Sequence, residues 1–423
     1  MAVLKIMICG AGIAGNSLAY WLSQQGHDIT VLERHPDLRS TGLQIDIRGH
    51  GIEVLKRMGL EADFRNAAVK EQGLEFVNRN GNQVAYFPVN ATGNGLQSFT
   101  TDYEIMRGDL IQLLYNKVKD RVRFVFGASI ESFDQLGDSV EVRLSNGDKD
   151  RYDLLIGADG QWSRTRKQML GDGAKDAIHF LGVYAGYFTI PRKLTDGEIY
   201  KGTAYIAPGK RLLFTRRHQK DRVQVYLVGL ADSERVMDAR KAGIDQEKAV
   251  LSELFSDAGW CSEELIREMQ ESDDFYCEHM GVVRIDSWSQ GHVALLGDAA
   301  YCPTATTGMG TTSSLVGAYV LAGEIMIRCS GANGSKEGVS VALHNYEERF
   351  RPFMNTVQKG IEQDKTYWHM MPSGAFMLAT LNFVLSLASF FRLDVLAQHV
   401  MREDTGDWKL PDYEGMDMRK SKE

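Results

Sequence analysis

Cysteine is scarce in this chain: five residues, Cys9, Cys261, Cys277, Cys302 and Cys329, odd in number, far apart and never in a Cys-x-x-Cys pair. That argues against a disulfide framework or a thiolate zinc site and suits a reducing, cytoplasmic setting. Proline is also sparse, with 8 residues and no Pro-rich hinge, and no repeat or low-complexity linker interrupts the chain. No basic block or stripe accompanies the net charge of −8, so nucleic acid is not an expected partner. The first apolar stretch, residues 3–9, is short, carries Lys5 and runs straight into glycines, as a buried strand does and a signal peptide does not. No Ser/His/Asp, Cys/His or metal-ligand constellation is evident. His27, His35 and His50 lie near one another, but at spacings that match no common metal site.

Near the end of the sequence one uncharged run needs attention. Residues 370–391 carry no charge, a length that could span a bilayer. Pro372, Ser373, Gly374, Asn382, Ser386 and Ser389 dilute it, and no polybasic anchor flanks it, so a packed or partly exposed C-terminal helix is expected and peripheral membrane contact is the weaker alternative.

What is present is a large apolar complement, 43% of 423 residues, enough for two or three domains. Residues 3–9 predict a buried strand, 10–15 a tight loop, 14–25 a helix and 28–33 a second buried strand, together a βαβ unit. Helices are expected over 52–58 and 109–118. A hairpin is expected about Asn80-Gly81, between strands at 75–77 and 83–87. Residues 121–126, 129–134 and 139–144 suggest a β-meander, and 153–157 a strand with an apolar centre. From about 171 to 280 the composition shifts: strands are expected at 183–190, 212–216 and 223–230, the last alternating as if one face were open, then helices at 244–256 and 262–270. A short strand at 293–296 leads into Gly297-Asp298, and 315–328 predicts a helix. The first and third parts read as pieces of one α/β domain with the middle part inserted.

The loop Gly10-Ala11-Gly12-Ile13-Ala14-Gly15 follows a strand and opens a helix. Its first glycine permits the turn, its second lets backbone approach a pyrophosphate, and its third allows close helix–strand packing. Glu33 ends the second strand, 18 residues after Gly15, where a carboxylate accepts hydrogen bonds from ribose hydroxyls; Arg34 follows and is a further candidate for nucleotide contact. These features indicate dinucleotide binding but do not separate FAD from NAD.

Two later motifs do. Residues 153–166 read DLLIGADGQWSRTR, and residues 293–300 read VALLGDAA. With the first loop, in order and at typical spacing over roughly residues 1–365, they make the chain resemble the class A flavoprotein monooxygenases, the aromatic hydroxylases similar to p-hydroxybenzoate hydroxylase, and nearest the branch of tetracycline-inactivating monooxygenases. The resemblance implies an FAD-binding Rossmann-like domain of the glutathione-reductase type, with an inserted β-sheet substrate domain and a C-terminal helix. The implied division is 1–74, 101–170 and 281–365 for the FAD-binding domain, 75–100 and 171–280 for the substrate domain, and 366–423 for the C-terminal helix and tail.

The resemblance also implies roles. Asp298 would meet the ribityl chain, Asp159 and Arg166 would stand near the pyrophosphate and the route of NAD(P)H, and Arg107, at a helix start, would reach FAD. The alternative for Arg107 is a surface ion pair with Asp109, and for Asp298 a plain helix cap. Where the family commonly has His, and Gly-x-Gly-x-Asn after it, this chain has Tyr301, then Gly308, Met309, Gly310, Thr311 and Thr312. The glycines keep their spacing, so backbone amides at a helix start still face the flavin. NADPH or NADH would bind transiently and reduce FAD; O2 would add at flavin C4a, and the hydroperoxide would pass one oxygen to a small aromatic or polyketide-like substrate. Tyr184, Tyr187, Phe188, Phe214, Arg216, Tyr226 and Met309 are substrate-contact candidates by position. A monomer or weak homodimer is expected. The competing enzyme readings are an FAD-dependent oxidase or dehydrogenase and a halogenase-like flavoenzyme, the latter disfavoured because no Trp-x-Trp occurs.

Overall fold

The computed structural model describes residues 3–38, 42–89, 103–171, 177–231, 233–330, 335–361, 371–392 and 407–419. Residues 90–100 of the expected substrate domain and Met370 of the uncharged run lie outside the described residues.

Two principal sheets organise the chain. The first has six strands in the spatial order Ser289–Gln290, Val293–Leu295, Leu154–Gly157, Lys5–Cys9, Asp28–Glu33 and Arg123–Phe126, parallel except for the first pair. Its central strand pairs Ile6 with Leu154 on one side and with Ile29 on the other. Those strands are nearly continuous apolar runs because helices cover both faces of a parallel sheet. Helix Ile13–Gln24 returns the chain from the first strand to the next and packs on helix Gly310–Ile325. The latter is buried along nearly its whole length, as a helix apolar on all sides must be.

The second sheet has seven strands in the order Tyr276–Val283, Ile178–Pro191, Arg222–Leu230, Arg211–Arg217, Gly202–Ala207, Gly73–Val77 and Gln83–Pro88. Period-two alternation divides its side chains between two cores. Tyr184, Phe188, Leu213, Val225 and Leu227 pack with helices Ile244–Phe255 and Ser262–Glu271. Leu181, Val183, Tyr187, Met280 and Val282 form a cluster on the other face, joined by Leu43, Tyr226 and Tyr276. Tyr184 and Phe188 therefore turn to the helix-covered side, away from the face of Tyr187.

The expected meander at 121–144 needs correction. Arg123–Phe126 pairs in parallel with Asp28–Glu33 in the six-stranded sheet. The antiparallel meander is Ile130–Leu136, Ser139–Leu144 and Lys149–Tyr152. A chain emerging from helix Arg107–Val118 completes a helical crossover, which favours a parallel partner over a hairpin. The helices Glu61–Ala67 and Ser233–Ala242 were not foreseen; both are short and polar and lack a clean apolar stripe.

The uncharged run forms helix Ala375–Phe390, none of whose side chains is buried. Phe376 is 85% exposed and Phe390 79%. Its attachment includes Ser389, whose hydroxyl accepts from the Tyr86 amide (3.0 Å) and donates to the Tyr86 carbonyl (2.8 Å). No described helix is long and apolar enough to cross a membrane.

Candidate functional site

The glycine loop is shaped by three different constraints. Gly10 has φ +113°, and a Cβ there would stand 2.4 Å from the Ala158 carbonyl oxygen. A Cβ on Gly15 would fall 1.9 Å from the Gly10 oxygen. A Cβ on Gly12 would meet nothing within 4 Å, so the loop opens outward only there. The following helix has no side-chain cap and no acid in its first turn, which leaves its amides and positive dipole end for an anion. Glu33 accepts from the Ala11 amide through Oε2 (3.0 Å) and from the His35 amide through Oε1 (3.0 Å). Each oxygen keeps a lone pair for a hydroxyl donor. Arg34 is exposed at the same rim.

The distant second stretch meets the first directly. A Cβ on Gly297 would stand 2.9 Å from Cβ of Ala14, so glycine at 297 allows the helix after the loop to lie against the Gly-Asp segment. Ala14 serves that contact. One open groove is then walled by Gly10, Gly12, Glu33, Arg107, Asp159 and Asp298, with Arg34 at its edge. Burial raises the Asp298 carboxyl above its ordinary range and the facing Arg107 guanidinium opposes the rise. Arg107 begins helix Arg107–Val118 and makes no ion pair with Asp109, whose carboxyl is raised by burial alone.

Asp159 lines the groove and Arg166 does not. Asp159 accepts from Ser163 Oγ (2.5 Å), the amides of Arg164 (2.8 Å) and Thr165 (3.1 Å) and Thr165 Oγ1 (3.2 Å), so its carboxylate shapes the turn into helix Arg164–Leu170. Arg166 is 1% exposed, outside the groove, and donates to the carbonyls of Ala299 (2.8 Å) and Gln161 (2.6 Å). It ties the Asp-Gly segment to the Gly-Asp segment from behind. Burial lowers its guanidinium pKa.

Gly308 and Gly310 precede or open helix Gly310–Ile325, which has neither a side-chain cap nor an acid in its first turn. A Cβ on Gly310 would meet nothing within 4 Å. The departures from the family pattern are absorbed internally. Thr312 Oγ1 accepts from the Arg48 amide (2.9 Å) and bonds its carbonyl (3.2 Å), and Tyr301 packs against Trp288 and Phe350 with its hydroxyl on Tyr346 (3.2 Å). Met309 is half-buried against the main core.

Among the substrate candidates, Tyr187, Tyr226 and Phe214 form an unbroken aromatic series. Tyr187 and Tyr226 lie 5.4 Å apart edge to face, and Phe214 and Tyr226 5.2 Å apart. Tyr276, 5.0 Å from Tyr187, carries the series into the groove wall. Arg216 is engaged: it pairs with Glu71 at 2.6 Å and reaches Glu104 at 3.7 Å. Burial disfavours its charge, but the two carboxylates outweigh that and hold its pKa above the ordinary value.

Sequence reasoning missed Tyr276, Glu278, Trp162 and Arg240, all on the groove wall. Arg240 lies flat on the Trp162 ring, 3.4 Å from its centroid. The available signal was Glu278, the one carboxylate in the strand Tyr276–Val283 that precedes Gly297-Asp298. A separate hollow of about 710 Å³, lined by His179, Arg284, Arg351 and Lys359 among others, shares no residue with the groove and none of the nucleotide motifs.

The groove fits the FAD that the motifs imply. The uncapped helix start beyond the open Gly12 suits phosphate, the half-buried carboxylates of Glu33 and Asp298 suit sugar hydroxyls, and Arg107 supplies a cation, whereas Gly308 and Gly310 do not line the groove.

The model of the family described as FAD binding domain matches residues 3–359. The FAD-dependent monooxygenase asL4 of Sarocladium schorii is 48% identical over 98% of this chain and 99% of its own. The flavin-dependent monooxygenase eupH of Phoma sp is 38% identical over 98% and 99%. Among solved structures, tetracycline destructase Tet(55) superposes with TM-score 0.76 at 27% identity, covering 97% of this chain and 99% of that one. HpxO of Klebsiella pneumoniae with FAD and uric acid gives 0.69 at 19% identity over 94% and 96%, a likeness of fold.

Proposed function

The chain belongs to the FAD-binding domain family and is an FAD-dependent monooxygenase, and from that premise we propose that it consumes NADPH or NADH and places one atom of O2 into a small aromatic or polyketide-like molecule. The observation that supports this reading is the meeting of residues from both ends of the chain, Gly12 and Glu33 with Arg107 and Asp298, on one groove joined through Tyr276 to the sheet face of Tyr187, Tyr226 and Phe214. The likeness to a tetracycline destructase supports a multi-ring substrate.

In this reading FAD supplies, when bound, the two-electron chemistry and the activation of O2. The remaining work belongs to this chain. The loop at Gly10, Gly12 and Gly15 and the helix start beyond it hold the pyrophosphate, with Ala14 packed behind. Glu33 accepts from the adenosine ribose and Asp298 from the ribityl hydroxyls. Arg34 and Arg107 offset negative charge. The amides after Gly308 and Gly310, at an uncapped helix start, would be available to the flavin's polar edge and stabilise negative charge there. Asp159 keeps the adjoining turn in shape for a transient nicotinamide nucleotide. The surface of Tyr187, Phe214 and Tyr226 would press a planar substrate against the cofactor and keep water away, with Met309 a further contact; Arg216, held by Glu71 and Glu104, sets the polar edge of that surface.

The purified protein should show bands near ~370 and ~450 nm from the bound cofactor. It should oxidise NADPH or NADH faster when phenols, anthrones or tetracycline-like compounds are added, and 18O from labelled O2 should appear in the product. Stoichiometric peroxide without labelled product would favour an oxidase and overturn the reading.

A further inference from the structure

The strand Tyr276–Val283 is the edge of the seven-stranded sheet, and it carries a single carboxylate. Alternation puts Glu278 on the same face as Tyr276 and Met280, the face that packs with Tyr187 and Tyr226. Glu278 lines the groove together with Asp298 and Arg107. It stands where the aromatic face meets the cofactor groove, on the strand next to Tyr187, whose phenol helps hold its charge. A carboxylate in an aromatic wall is costly to leave without donors, and one phenol satisfies only part of its capacity for four.

We propose that Glu278 is the specificity-determining anchor of the substrate site: it accepts a hydrogen bond from an O–H group on the aromatic substrate, so that hydroxylated rings are selected over the same rings lacking a donor. This rests on the aromatic-substrate reading above and narrows it to phenols and enols. A site built to bind a hydroxyl rejects an analogue without one, because its own buried acceptor is then stranded.

The groups facing Glu278 set when it works as an acceptor. They are Asp298 from the Gly-Asp segment, Arg107 from the start of its helix, Tyr187 from the neighbouring strand and the Cys302 thiol beyond Asp298. Burial first, and Asp298 second, push the Glu278 carboxyl up to about 6, while Arg107 and Tyr187 restrain the rise. Above that pH the group is a pure acceptor and discriminates. Below it the group carries a proton, donates as well as accepts, and ceases to discriminate.

The test uses the FAD-loaded enzyme without reductant, reading the shift of the flavin visible band on titration with 2-naphthol and with its methyl ether. At pH 8 the wild type should bind the naphthol more tightly by about 10-fold or more, the worth of a hydrogen bond to a charged group, and the preference should fall as the pH drops through about 6. Glu278→Gln should hold FAD but show a preference that is small and independent of pH. Glu278→Asp, which keeps the carboxylate, should restore the pH-dependent preference. An undiminished preference in Glu278→Gln overturns the proposal and leaves the aromatic reading standing. Loss of FAD from Glu278→Gln overturns it in favour of a cofactor-holding role. No band shift with either ligand in the wild type, at any concentration up to saturation, overturns the aromatic reading together with the proposal.

Discussion

At the scale of single residues, the glycines of the first loop separate two roles that a motif pattern merges. Gly15 is required by its own fold, because an added methyl would lie 1.9 Å from a backbone oxygen that cannot move without breaking the turn. Gly12 is required only by what fills the groove, since the same methyl there would touch no protein atom within 4 Å. Gly15→Ala should therefore lower stability by roughly 2–4 kcal/mol, as overpacking against fixed backbone does. Gly12→Ala should leave the melting temperature of the FAD-free protein unchanged while weakening FAD binding at least ~10-fold, the cost of roughly one strained or lost phosphate contact. Thermal melts of the FAD-free proteins with parallel flavin titrations check both. Histidine gives a pH-dependent counterpart. His27 is 6% exposed, accepts the Leu4 amide through Nδ1 (3.2 Å), and burial lowers its pKa to about 4. A base whose folded pKa is depressed stays neutral in the folded protein while the unfolded chain takes up a proton. Stability from His27 is thus complete above the ordinary histidine pKa and is lost as pH falls from about 6.5 towards about 4, by up to about 3 kcal/mol. Denaturant midpoints between those pH values should decline in the wild type and decline less in His27→Gln.

At the scale of elements, legibility followed burial pattern. The strands at 5–9, 28–33 and 154–157 could be read because parallel central strands are apolar on both faces and are punctuated by glycine. The strand at 123–126 was assigned to the wrong sheet because its own residues, Arg-Phe-Val-Phe, suit either an edge of a parallel sheet or the first arm of a meander, and only the preceding crossover decides. Aromatic candidates at 184, 187 and 188 were likewise indistinguishable by type; which of them turns towards the groove depends on the register of Tyr187 against Tyr226, a long-range fact. The C-terminal helix Ala375–Phe390 is the clearest departure, being apolar yet buried nowhere. Because no side chain of it enters a core, Phe376→Ser combined with Phe390→Ser should change unfolding free energy by no more than about 0.5 kcal/mol. Ser389→Ala should act locally instead, removing both bonds to Tyr86, so that the Tyr86 amide exchanges with deuterium measurably faster while core amides are unaffected.

At the scale of the whole molecule, the cofactor groove exists because widely separated segments are fastened together behind it. Arg166 joins the carbonyls of Gln161 and Ala299, and the Gln358 amide donates to the carbonyls of Val283, Tyr301 and Cys302, which binds the edge strand of the seven-stranded sheet to the Gly-Asp segment. Arg166 itself does not line the groove, which places it to assemble the site from behind. If that is its role, FAD and Arg166 act on one equilibrium from opposite sides. FAD binds only the assembled form, so free flavin at 100 times its dissociation constant should add about 2.7 kcal/mol to stability. Arg166→Ala strands two buried carbonyls and leaves a cavity, which should cost about 3–5 kcal/mol in the FAD-free protein. The decisive reading is the response to FAD. If Arg166 only assembles the groove, enough FAD restores much of the lost melting temperature and the saturated variant shows the wild-type visible spectrum. If Arg166 instead contacts the cofactor, no concentration of FAD restores that spectrum, and the melting curve of the variant stays where FAD-free protein melts. Gly12→Ala provides the mirror image, with a sound FAD-free fold and a weak response to the flavin. Melts of both variants across one FAD series therefore distinguish the part of the site that grips from the part that builds it.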